Sequence, residues 1–146
     1  MSSAGLRHAE IALVRSGFDR IAPDAERIGL AFYDRLFALD LSLRTLFPTN
    51  LRPLAGHLMA ALAMVVRSLD DLAPVLDQVR ALGHRHASYG VEPRDFTTVG
   101  TALLATLEAE LDEAFTEAAR AAWSSAYGTL SDAMIAAMIE AMPVAA

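Results

Sequence analysis

Apolar residues recur at three- and four-residue steps along most of the chain, and Pro, Gly and Asp part the runs in which they do so. The pattern predicts a first helix from Ser2 or Ser3 to about Ile21. Pro23 is placed as a first-turn proline, with Asp24 and Glu26 suited to the positive end of the helix dipole. The helix it opens carries Ile28, Leu30, Phe32, Tyr33, Leu36 and Phe37. A short segment, Leu41 to Phe47, ends at Pro48. Further helices are predicted from about Pro53 to Leu69, from Pro74 to Ser88 with a stop at Gly90, and from Pro93 to Leu111. Thr116 caps a long last helix, Glu117 to about Met142. No strand alternation, repeat or low-complexity linker intervenes. The chain reads as all-α and as one domain over residues 1–146, with six or seven helices of unequal length. An up-down four-helix bundle fits poorly, because the lengths and breaks are too irregular.

Composition narrows the chemistry. A chain of 146 residues can bury enough surface to fold without disulfides or structural zinc. With no cysteine there is no thiolate nucleophile, Fe–S cluster or thioether-linked haem. A net charge of −6 argues against nucleic acid as a partner. All twelve basic residues are arginine, which excludes lysine Schiff bases and a P-loop lysine. The longest apolar run, Leu58 to Val66, is far short of the roughly 20 residues that span a bilayer. The start, MSSAGLRHAEIALVR, carries charges where a signal peptide has its apolar core. A cytoplasmic protein with no transmembrane segment is expected. The apolar stretch Ala133–Met142 suits a dimer contact as well as the core, so the oligomeric state stays open.

Glycine-rich phosphate loops, HExxH, GxSxG and paired-cysteine motifs are absent, which leaves four histidines. His84 and His86, two residues apart on a helix, point about 200° from each other and cannot chelate one metal. Leu72, Val75, Val79, Leu82 and His86 form one stripe, whereas His84 falls with Asp77, Arg80 and Ser88 on the polar side. A histidine ending an apolar stripe is either a core residue bonded to a backbone carbonyl or a metal ligand in an apolar pocket. His57 sits about 60° from Leu54, at the edge of a face made by Leu54, Leu58, Ala61, Leu62, Val65 and Leu69. Gly29, Tyr33 and Phe37 share another stripe, where the glycine lets a second helix cross closely.

Four segments, IGLAFYDRLF (Ile28–Phe37), TLFP (Thr45–Pro48), GHRHASYGV (Gly83–Val91) and FTEAARAAWSSAYG (Phe115–Gly128), together carry a family likeness. In their order and spacing the chain resembles the single-domain bacterial globins and the globin portion of flavohaemoglobins, over nearly its whole length. The resemblance implies a globin fold around haem b, with His86 as the proximal iron ligand. It makes Phe47 the phenylalanine packed on the haem face and Tyr33 the distal tyrosine. Gly29 and Ala55 take the small-residue positions at a helix crossing. Arg85, beside the ligand, is either solvated or in contact with a haem propionate. Trp123 and Tyr127 read as packing residues on the last helix.

The chain also departs from that family. Leu54 stands where relatives have a polar distal residue, so the hydrogen bond to a ligand falls to Tyr33. Leu58 lies one turn further along the same face. His57 is a possible second donor, a possible second iron ligand, or a solvated histidine at the rim. Phe96 and Met138 replace the tyrosine and glutamate that polarise the proximal histidine in flavohaemoglobins, and Glu140 lies about 200° away from Met138's position. The reductase domain of flavohaemoglobins has no counterpart before Ala146. The expected function is reversible binding of oxygen or another diatomic gas at ferrous iron. Nitric oxide dioxygenation with a separate reductase, and a haem-free globin-fold sensor, are the alternatives.

Overall fold

The structure, a computed structural model, describes residues 6–141. Six α-helices follow one another: α1 (His8–Ile21), α2 (Ala25–Leu39), α3 (Arg52–Arg67), α4 (Leu76–Ser88), α5 (Asp95–Leu111) and α6 (Glu117–Ala141). Short 3-10 segments lie at Ala22–Asp24, Leu41–Leu46, Ala73–Val75 and Asp112–Ala114. Among the described residues there is no strand. Ser2, Ser3 and Met142 fall outside the described residues. The helix expected to follow Ser2 or Ser3 begins at His8, where the Glu10 carboxylate accepts the Arg7 N–H at 3.0 Å.

Three of the prolines sit one step earlier than expected. Pro23 and Pro74 lie in 3-10 turns that feed α2 and α4. Pro93 opens a turn, not α5 itself. Its carbonyl accepts Phe96 N–H, while the Asp95 carboxylate accepts Glu92 N–H at 2.9 Å. At the other end of α3 the helix stops at Arg67, two residues before Leu69, which is buried beyond the end of the helix. The Thr116 cap forms as expected, its hydroxyl accepting Ala119 N–H at 3.1 Å.

Two crossings place the site. α2 lies against α3 at Gly29, where a Cβ would stand 2.8 Å from the Ala55 Cβ. α4 lies against α6 at Gly83, where a Cβ would stand 2.6 Å from the Met134 carbonyl oxygen. α4 makes its main tertiary contact with α6, with lesser ones to the turn that precedes it and to the start of α5. The apolar stretch expected to serve core or dimer is divided. Met134, Ala137 and Met138 are buried, and Ile139 is exposed.

The core is split as a result. A large apolar cluster gathers α1, α2, α3, α5 and part of α6, and it includes Tyr33, Met59 and Trp123. A small one, Val79, Phe96, Met134 and Met138, joins α4 to the start of α5 and the end of α6. Tyr127 and Leu130 border both.

Candidate functional site

The residues singled out in the sequence divide between the two clusters. Tyr33, Phe47, Leu54 and Leu58 belong to the large cluster, Tyr33 buried within it and the other three half-buried. Phe96 belongs to the small one, with half-buried His86 beside it.

His86 extends the α4 stripe of Val75, Val79 and Leu82. Its Nδ1 lies 2.6 Å from the Leu82 carbonyl oxygen, one turn back. A carbonyl can only accept, so the proton sits on Nδ1 and the Nε2 lone pair is left available. No side chain of the described residues engages Nε2. A core histidine could make the same carbonyl bond. Half-burial and a free Nε2 are what suit a metal ligand. The Phe96 ring stands 6.2 Å from the imidazole and the Tyr89 ring 6.4 Å. Phe96 and Met138 are buried, and neither offers the imidazole a strong acceptor. Glu140 points elsewhere, pairing with Arg80 at 2.9 Å on the surface. His84 and Arg85 are exposed.

In the large cluster, three rings pack against Tyr33. Phe32 lies 5.1 Å away edge-on, Phe37 6.0 Å in a stack, and Phe47 5.4 Å edge-on. A core tyrosine would place its hydroxyl on a backbone carbonyl, as Tyr127 does on Phe96 at 2.7 Å. The Tyr33 hydroxyl makes no hydrogen bond to any described residue, and burial alone pushes its pKa up to about 12. Among the described residues the only fully enclosed side-chain polar atom without a partner is Trp123 Nε1, so the Tyr33 oxygen still opens onto free space. Leu54 and Leu58 add apolar surface from α3, while His57 on the same helix is exposed and stands outside this group.

The arrangement suits a flat, mostly apolar group that takes one nitrogen ligand. Half-buried apolar side chains border both clusters, the His86 Nε2 is free beside the small one, and the Tyr33 hydroxyl is unpartnered in the large one. Among the described residues no three His, Cys, Asp or Glu side chains converge, so a metal held by the protein alone has no site there. No helix of the described residues is long and apolar enough to cross a membrane. The sequence placed Leu82 on the His86 stripe but could not show that its carbonyl is the one that fixes the tautomer.

Comparisons with known proteins bear on the family and the fold. The globin family model matches residues 30–134. A flavohemoprotein of Bacillus subtilis is 31% identical over 137 residues, which cover 89% of this chain and 33% of the relative. One from Bordetella pertussis is 32% identical over 127 residues, or 85% and 32%. The chain thus spans about a third of the length of these relatives. A bacterial globin structure from Campylobacter jejuni superposes with a TM-score of 0.83 at 20% identity, covering 92% of this chain and 97% of that one. By its helices, by the split core and by these matches, the chain belongs to the globin family.

Proposed function

We propose that the protein binds haem b between its two apolar clusters, with His86 Nε2 as the proximal ligand, and holds oxygen or another diatomic gas reversibly. The observation that carries this reading is the Nδ1 bond to Leu82, which leaves His86 Nε2 free beside Phe96. Haem bound there supplies a ferrous iron able to coordinate such a gas. The chain does the rest. Phe47, Leu54 and Leu58 keep water from the pocket, and Tyr33 donates the one hydrogen bond that stabilises partial negative charge on the ligand. His57, exposed on α3, stays at the rim in the resting protein. Arg85 is solvated or meets a propionate.

A second reading, nitric oxide dioxygenation driven by a separate reductase, is favoured by the likeness to flavohemoproteins about three times as long. Against it as the main role stand Phe96 and Met138, which leave His86 without an electron-donating partner other than the Leu82 carbonyl.

Absorption spectra of the purified ferric and dithionite-reduced protein test the first reading. A Soret band with five-coordinate reduced bands is expected, lost in His86→Ala and kept in His84→Ala. Haem retention in His86→Ala would overturn the ligand, and absence of any Soret band would favour a haem-free sensor. A charge-assisted hydrogen bond is worth about 1.5–3 kcal/mol, so Tyr33→Phe is expected to speed oxygen dissociation roughly 10- to 100-fold.

A further inference from the structure

No described residue hydrogen-bonds the Tyr33 hydroxyl, and the rings of Phe37 and Phe47 pack against its ring. Whatever fixes Phe37 and Phe47 therefore helps to fix Tyr33. Phe37 is held by α2, but Phe47 lies after the Leu41–Leu46 turn, in extended backbone before α3 begins at Arg52. Carbonyls in such a segment have no helical partner and would otherwise turn to water.

Arg44 gathers three of them. Its Nη1 donates to the carbonyls of Phe47 at 3.2 Å and Pro48 at 2.9 Å, and its Nη2 donates to that of Thr49 at 3.2 Å. Phe47 N–H donates back to the Arg44 carbonyl at 3.2 Å, so residues 44 and 47 are joined in both directions. The same guanidinium lies over the Phe37 ring, 5.3 Å from its centroid. Phe37 in turn meets Phe47 edge-on at 5.4 Å and stacks on Tyr33 at 6.0 Å. Among the described residues no carboxylate pairs with Arg44. All of its donors that bond go to this one stretch of backbone, and its flat face goes to the ring cluster. A planar fork with several donors can do both at once, whereas a point charge such as lysine cannot.

We propose that Arg44 is a positioning residue for the distal side. It pins Phe47 through the backbone and Phe37 through its ring, and so sets the direction in which Tyr33 presents its hydroxyl to a diatomic ligand. The inference rests on the distal role proposed for Tyr33, and the test separates the two.

The haem-loaded protein is compared with Arg44→Met, Arg44→Lys, Tyr33→Phe and the Arg44→Met/Tyr33→Phe double variant. Oxygen dissociation is measured by stopped flow, the C–O stretch of the carbon monoxide complex by infrared spectroscopy, and amide exchange of residues 45–51 by mass spectrometry. Arg44→Met is expected to speed oxygen loss roughly 3- to 30-fold, to shift or broaden the C–O band, and to hasten exchange in that segment. Arg44→Lys, which keeps a cation over Phe37 but cannot span three carbonyls, is expected to fall between, and it carries the test if Arg44→Met does not hold haem. In the Tyr33→Phe background the Arg44 effect on oxygen should shrink to less than about twofold. An unchanged off-rate and C–O band in the Arg44 variants, or the same factor in both backgrounds, overturns the inference while Tyr33 keeps its role. An unchanged off-rate in Tyr33→Phe alone overturns the distal role itself and the inference with it.

Discussion

A phenol surrounded by hydrocarbon ionises late, because the phenolate loses hydration that nothing replaces. Burial raises the pKa of Tyr33 to about 12, and it raises that of Tyr127 as well. In the unfolded chain both titrate near 10. Each therefore contributes stability that is complete below pH ~10 and is lost as pH climbs through the folded value, at about 1.4 kcal/mol per pH unit and per tyrosine. Denaturant unfolding followed from pH ~9 to ~12 should show this fall, and Tyr33→Phe and Tyr127→Phe should each flatten it. A slope that neither substitution changes would mean that both hydroxyls ionise freely in the folded protein.

Between helices, single atoms decide the distances. A Cβ at Gly83 would meet the Met134 carbonyl at 2.6 Å, and one at Gly29 would meet the Ala55 Cβ at 2.8 Å. Since backbone cannot rotate aside as a side chain can, Gly83→Ala should push α4 from α6 and cost about 1–3 kcal/mol. It should also weaken haem retention, because His86 lies three residues further along the same helix. Gly56→Ala, on exposed α3 surface with nothing within 4 Å of the added carbon, should instead raise stability by about 0.5–1 kcal/mol. Chemical denaturation of the variants checks both signs. The Gly29 crossing was legible in the sequence, because Gly29, Tyr33 and Phe37 fall on one stripe. The closeness of Gly83 was not, because what crowds it is a backbone atom of a helix fifty residues on. Helix identity was legible from periodicity throughout, and the errors lay at ends such as Pro93, where a turn closed by Asp95 comes before the helix.

For the whole molecule, the four family segments were enough to indicate the globin family, and the residues drawn from them divide between the two clusters, Tyr33, Phe47 and Leu54 with the large one and His86 beside the small one. The wheel could not decide His57, since a position 60° from the apolar face can turn either way. Arg44 was unreadable because its partners are carbonyls, which every residue possesses. The 146 residues carry no glycine-rich nucleotide loop, and the His86 imidazole has no carboxylate partner among the described residues. Steady NADH-driven consumption of nitric oxide is thus expected only when a reductase is added, with a single stoichiometric reaction of the oxygenated protein otherwise. Multiple turnovers without added reductase would sink the carrier reading. The way α4 is attached bears on how such a protein is completed after synthesis. A helix fastened mainly to α6 can swing out while the large cluster stays intact, at a free energy below that of global unfolding. If haem binds beside His86 as proposed, its capture and escape are expected to follow this local opening and not the stability of the whole.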